Sequence, residues 1–206
     1  MVLASHMIFG TYGFWLPNDP RGSWSDFVWS WELRRFGKAT TVTTSRSVAA
    51  RPHDRAFRLA AKRLLRYPAV KLTGKQAAAV GRGFSSLAER LGVTVLACSI
   101  LPEHVYLVLR RHRLSVERLV NLLKGEATGR MAEEAIHPLG GYSRNDGRVP
   151  SPWARGEWKV FLNHPRDVRR AIEYVENNPL KEGKPRQRWA FVRPYCEEAL
   201  AERARG

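Results

Sequence analysis

A pair of β-rich runs separated by a short turn constrains the fold of this chain more than any other feature. Residues 93–100 (VTVLACSI) and 104–109 (HVYLVL) are rich in β-branched and aliphatic side chains, and residues 101–103 (LPE) turn the chain between them. Two such runs around a tight turn indicate an antiparallel hairpin. Helical and strand patterns alternate elsewhere without a glycine-rich βαβ fingerprint. The sequence therefore predicts an α+β sandwich with an antiparallel sheet.

The remaining elements follow from apolar spacing and from chain breakers. Residues 8–16 are apolar and aromatic, which predicts a strand before a turn-rich loop. Pro179 is expected to end the last long helix, because proline lacks the N–H that a helix needs. The helices predicted from apolar residues at helical spacing cover 53–66, 73–91, 114–135 and 165–178.

A chain of 206 residues suits one domain with extensions. We expect this domain to span 7–192, with loop insertions at about 37–52 and 138–152 and a C-terminal tail over 193–206. Ser5-His6-Met7 resembles a remnant of cloning. We therefore place the natural start at Met7 and leave His6 out of any site.

The charge of the chain indicates a polyanionic partner. Lys and Arg number 35 against 19 Asp and Glu, which gives a formal charge of +16 and a pI of about 10.7. A membrane is not expected, because no apolar run approaches the roughly 20 residues that cross a bilayer. Cys98 and Cys196 are too few for a disulfide framework, which fits a reducing cytoplasm. A basic RNA-binding protein is an alternative supported by charge alone.

The segment around Tyr174 carries the first candidate chemistry. On a helix, Tyr174 and Asn178 lie one turn apart on the same face. A tyrosine hydroxyl can attack a DNA phosphate, and an amide oxygen one turn away can help to hold the cation that steadies it. The spacing is equally compatible with a packing tyrosine and a helix-ending asparagine.

The second candidate lies on the predicted strand 104–109. Side chains two apart on a strand share a face, so His104 and Tyr106 point to the same side. A neutral imidazole at this place is a candidate metal ligand. The alternative is a histidine that only packs on the sheet.

Together the two segments resemble the HUH single-tyrosine transposases, in particular their REP-associated and insertion-sequence branch. Residues 101–108 (LPEHVYLV) are similar to the metal strand of that family, and residues 174–179 (YVENNP) to its nucleophile helix. Residues 11–22 (TYGFWLPNDPRG) resemble a stretch common at the start of one branch, and 153–158 fits as well. The resemblance covers most of 7–192, with the matches in the family's order.

The resemblance implies a ferredoxin-like sandwich, Tyr174 as the nucleophile, and His104 and Asn178 as ligands of Mg²⁺ or Mn²⁺. One position departs from the pattern, because Tyr106 stands where the family has its second histidine. A neutral phenol is a poor ligand for a divalent metal, so the metal is expected to bind weakly.

The resemblance also implies a function: cleavage of single-stranded, hairpin-associated DNA through a 5′-phosphotyrosine intermediate, with a homodimer possible. The alternative is a domesticated DNA-binding protein that has lost efficient cleavage. Seven tryptophans are candidates to stack on unpaired bases, although for most of them we prefer packing. The candidate phosphate contacts are Arg110, Arg111, Arg113, Arg118, Lys124, Lys181, Arg186 and Arg188.

Overall fold

The computed structural model describes residues 1–42, 48–142 and 147–196. Local signals set several helix ends. Thr73 caps the helix Gly74–Leu91 through a capping box with Gln76, and the Asp54 side chain accepts from the Phe57 N–H at the start of the helix Arg55–Arg63. In chain order the elements are β1 (Ala4–Gly10), α1 (Trp31–Arg34), α2 (Arg55–Arg63), α3 (Gly74–Leu91), β2 (Val95–Ile100), β3 (His104–Arg110), α4 (Val116–Glu133), β4 (Trp158–Leu162) and α5 (Pro165–Lys181).

Within the described residues the four strands form one antiparallel sheet in the order β2-β3-β1-β4. The predicted hairpin is confirmed as β2 and β3, with Ile100 opposite Val105. Apart from α1 and α2, which lie between β1 and α3, the order of elements up to β4 is β-α-β-β-α-β. The predicted α+β fold with an antiparallel sheet backed by helices is confirmed.

The two faces of the sheet bury different helices. Met7, Leu107 and Leu109 belong to the large apolar core that α3 and α4 cover. The opposite face carries Ala4 and Val108, which pack against the apolar side of α5. Strand residues alternate between the two faces, so every second position of β1 and β3 lies beneath α5. The residues of α5 that recur at helical spacing and are buried are Val168, Ala171, Val175, Asn178 and Pro179.

Two predicted boundaries are wrong near the N-terminus. The first strand runs Ala4–Gly10, so it includes His6 and ends before most of the predicted 8–16 segment. Gly13 has a φ of +77°, and a Cβ there would lie 2.6 Å from Leu65 Cδ1. The chain therefore turns where the aromatic run had indicated a strand.

Pro179 does not end the last helix, which continues to Lys181. A proline lacks the N–H that would bond to the carbonyl four residues earlier, here that of Val175. The Ser99 hydroxyl of β2 donates to this carbonyl at 2.6 Å. The sheet therefore satisfies the acceptor that Pro179 leaves free.

Parts of three predicted segments lie outside the described residues: 43–47 and 143–146 of the two loop insertions, and 197–206 of the tail. The described start of the tail is attached to the sheet, because the Arg193 N–H donates to the Val95 carbonyl at 2.8 Å. Among the helices of the described segments, none has the length and apolar character needed to cross a membrane.

Candidate active site

The candidate site lies where the last two turns of α5 cross the sheet. His104 and Tyr106 point from β3 toward α5, whereas Val105 and Leu107 point into the core on the other face. Tyr174 and Asn178 lie one turn apart on α5 and face this end of β3. The structure thus brings the four residues of the two sequence segments together.

Tyr106 occupies the centre of the site. Its ring centroid lies 4.9 Å from that of His104 and 5.9 Å from that of Tyr174, both edge to face. Burial raises the pKa of Tyr106 well above its ordinary value, and interaction of its hydroxyl with Asn178 only partly opposes this. Tyr106 is therefore a neutral phenol at physiological pH.

His104 lies between aromatic rings and a carboxylate. Its ring stacks on Phe14 at 5.0 Å between centroids, and its Nε2 is 3.6 Å from Glu182 Oε1. Burial lowers the pKa of His104, and Glu182 opposes this shift. Nδ1 is buried and has no hydrogen-bond partner among the described residues. His104 is therefore neutral at pH 7 and keeps nitrogen lone-pair capacity for a ligand.

His6, which the sequence argument left out of any site, lies against Tyr174 and Tyr106. It is buried in β1, and its ring centroid lies 5.7 Å from that of Tyr174, 5.3 Å from that of Trp158 and 6.2 Å from that of Tyr106. Burial lowers its pKa to about 4. Within the described chain, its buried Nε2 has no hydrogen-bond partner.

Tyr174 is exposed to solvent over 40% of its surface, whereas His6 beside it is buried. The rings of His6 and Tyr106 both contact the Tyr174 ring in edge-to-face geometry. Lys181 Nζ lies 4.2 Å from the ring centroid. A phosphate that approaches the Tyr174 hydroxyl therefore meets a positive charge.

Three side chains of the site carry donor atoms of the kinds that divalent cations accept. His104 offers an imidazole nitrogen, Glu182 a carboxylate and Asn178 an amide oxygen, and Mg²⁺ and Mn²⁺ accept such donors. The described segments contain no group of three His, Cys, Asp or Glu side chains suited to a metal. Glu182 was not predicted as a site residue. Its position four residues beyond Asn178, on the same helix face, is the sequence signal that could have identified it.

Seven of the eight predicted phosphate contacts fall into three groups. Lys181, Arg186 and Arg188 are exposed at or just after the end of α5, and Arg186 donates to Asn177 Oδ1 at 2.5 Å. Arg110, Arg111 and Arg113 begin at the other end of β3, and Arg110 lies about 13 Å along the strand from Tyr106. Arg118 is exposed on α4, which covers the opposite face of the sheet.

Lys124 is not on the surface, so the prediction that it is an exposed basic residue is wrong. It is buried, and its Nζ donates to the carbonyls of Ala154 and Gly156 at 3.0 and 2.7 Å. Burial lowers its pKa to about 8. The amine therefore fixes the segment before β4 and is not available to a phosphate.

No family model and no curated protein matches this sequence. Solved structures that are similar to this chain include two transposases. One is a REP-associated tyrosine transposase bound to a REP hairpin, with a TM-score of 0.47 and 11% identity over 88% of this chain and 68% of that one. The other is a candidate transposase from Deinococcus radiodurans R1, with a TM-score of 0.43 and 13% identity over 86% and 91% of the two chains.

Proposed function

We propose that the protein cleaves single-stranded DNA with Tyr174 as the nucleophile and acts as a transposase or nickase. The observation that carries this proposal is an exposed tyrosine whose ring contacts the neutral side chains of His6 and Tyr106 and lies beside the charge of Lys181. The motif resemblance of residues 101–108 and 174–179 points to the same reaction.

The proposed reaction exchanges one phosphodiester for another. The Tyr174 oxygen forms a bond to phosphorus while the bond from phosphorus to the 3′ oxygen breaks. The phenolic proton is lost to solvent, and the 3′ oxygen takes up a proton as it leaves. The products are a 5′-phosphotyrosine and a free 3′-hydroxyl, and the same steps in reverse rejoin the strand.

The supporting side chains have separate tasks. Lys181 neutralises charge on the phosphate, and His6 with Tyr106 fixes the direction of the Tyr174 ring. His104, Asn178 and Glu182 are the proposed ligands of Mg²⁺ or Mn²⁺. Such a cation, when bound, would withdraw charge from the phosphate oxygens.

A second candidate function is DNA binding without cleavage. Tyr106 favours it, because its protonated phenol fills the space between His104, Tyr174 and Asn178. In that case the protein keeps its affinity for single-stranded or hairpin DNA, and Tyr174 has only a structural task.

A covalent adduct distinguishes the two candidates. The protein is incubated with Mn²⁺ and single-stranded hairpin DNA labelled at its 3′ end, because the 3′ part of the strand stays attached through the 5′-phosphotyrosine. A denaturing gel separates free from protein-linked label. We expect a labelled adduct with the wild type and none with Tyr174→Phe, which lacks only the hydroxyl. Tyr142→Phe removes the hydroxyl of another exposed tyrosine and should leave the adduct unchanged. DNA binding without an adduct at raised Mn²⁺ would favour the binding-only function.

A further inference from the structure

The segment between β1 and α2 leaves large aromatic side chains in solvent. Trp29 and Trp31 are 69% and 76% exposed, and Phe27 and Trp24 are nearly half exposed. We call these four residues the aromatic surface. Val28 and Leu33 from the same segment are buried with Leu16, so the segment is packed on the domain while its aromatic rings face outward. The rings of Phe27 and Trp29 contact each other at 4.9 Å between centroids, and exposed apolar area of this kind marks a binding surface.

Arginine side chains lie over these rings. Arg34 Cζ lies 4.8 Å from the ring centroids of both Phe27 and Trp31, and Arg155 Cζ lies 5.6 Å from that of Trp29. The Arg34 Nε donates to the Val28 carbonyl at 3.1 Å, which fixes the guanidinium in this place. Flat rings combined with cations can bind the bases and the phosphates of a polynucleotide together.

The charge of the segment suits such an occupant. Residues 21–36 contain three arginines and two carboxylates, Asp26 and Glu32, and the chain carries a net charge of +16. Glu32 accepts a hydrogen bond from Ser30 at 2.7 Å. An acidic partner is therefore favoured over a basic one.

The aromatic surface continues to the candidate active site. The rings of Trp24 and Trp158 lie 5.9 Å apart, Trp158 and His6 5.3 Å apart, and His6 and Tyr174 5.7 Å apart. Trp24 therefore begins a series of ring contacts that ends at Tyr174, and a strand whose bases contact Trp24 lies on the side of the molecule that carries the candidate nucleophile.

We infer that the aromatic surface binds unpaired nucleotides of the strand that reaches Tyr174, with bases stacked on Trp24, Trp29 and Trp31 and phosphates paired with Arg34 and Arg155. This inference rests on the proposed function for the direction of the strand, whereas the stacking of bases does not depend on cleavage. Stacking on aromatic rings tolerates any base, so the surface adds affinity for single strands without sequence preference.

An abasic oligonucleotide tests the stacking directly, because it keeps the phosphates and lacks the bases. Fluorescence anisotropy measures the affinity for a labelled thymidine oligonucleotide of about 20 nucleotides and for an abasic one of the same length. We expect the wild type to prefer thymidine by about tenfold or more, and the double variant Trp29→Ala/Trp31→Ala to lose most of this preference. Trp29→Phe/Trp31→Phe, which keeps flat rings, should retain much of it.

Tyr142→Ala removes an exposed ring outside the aromatic surface and serves as the matched control. An unchanged preference for thymidine in Trp29→Ala/Trp31→Ala overturns the inference. The alternative occupant of the aromatic surface is a second copy of the chain, and sedimentation of the wild type and of the double variant tests it. A wild-type dimer that becomes a monomer in the double variant would make the surface a contact between copies. That result would also overturn the inference. Failure of cleavage would contradict the proposed function but not the stacking of bases, because Tyr174→Phe should keep the full preference for thymidine.

Discussion

Tyr106 determines how strongly the candidate site can hold a metal. Its neutral phenol lies beside His104 and Asn178, where a second imidazole would add a nitrogen ligand. We predict that Tyr106→His tightens Mn²⁺ binding by about tenfold or more, since imidazole is a good ligand for Mn²⁺ and a protonated phenol is not. Calorimetric titration of Mn²⁺ into both proteins measures the change. Tyr106→Phe is the control and should leave Mn²⁺ affinity near that of the wild type.

His6 makes the stability of the protein depend on pH. Its pKa is about 4 in the folded chain, below the ordinary value of 6.5, because burial disfavours the charged ring. Protonation therefore favours unfolding, and the stability that His6 contributes is full above pH 6.5 and is lost as the pH falls toward 4. In urea unfolding, we predict that His6→Phe reduces the loss of stability between pH 7 and 4.5 by about 2 kcal/mol. An equal loss in both proteins would contradict the burial of a neutral His6.

The residue patterns predicted part of the site. Alternation along one strand was enough to put His104 and Tyr106 on one face, and helical spacing paired Tyr174 with Asn178. His6 could not be found in this way, because it reaches the site only through the pairing of β1 with β3. Nor does local spacing reveal that the amine of Lys124 turns inward to the carbonyls of Ala154 and Gly156.

At the scale of the element, α5 depends on a contact with the sheet. Pro179 leaves the Val175 carbonyl without its helical donor, and the Ser99 hydroxyl supplies one. The prediction that the helix ends at Pro179 is wrong, because the missing donor is replaced from β2, 76 positions earlier, where local spacing gives no sign of it. The last turn of α5 carries Asn178 and Lys181, so this bond supports the candidate site.

We predict that Ser99→Ala lowers the free energy of unfolding by about 1–3 kcal/mol, because it leaves a buried carbonyl unsatisfied. In a Pro179→Ala background the same substitution should cost less, since alanine restores the helical N–H to Val175. Urea unfolding of the four proteins gives this double-mutant cycle. Equal costs in both backgrounds would show that Ser99 acts through packing alone.

At the scale of the whole molecule, only some of the basic residues lie near the candidate site. The sequence predicted a polyanionic partner from the net charge of +16, but it could not tell which of its basic residues share one surface. The fold separates them. Lys181 and Arg186 lie at the end of α5 beside Tyr174, whereas Arg111 and Arg113 follow the far end of β3.

This separation predicts which arginines and lysines control DNA binding. Affinity for single-stranded DNA should fall steeply with salt, because each phosphate contact releases counterions. We predict that Lys181→Ala/Arg186→Ala weakens binding and lowers the slope of log affinity against log salt by roughly 1.4, since each of the two lost contacts is worth about 0.7 in that slope for single strands. Arg111→Ala/Arg113→Ala removes the same charge at the far end and should change the slope little. Anisotropy titrations at several salt concentrations measure both slopes. If the far-end pair lowered the slope as much as the α5 pair, the DNA path would have to cross the molecule along β3 instead of following the end of α5.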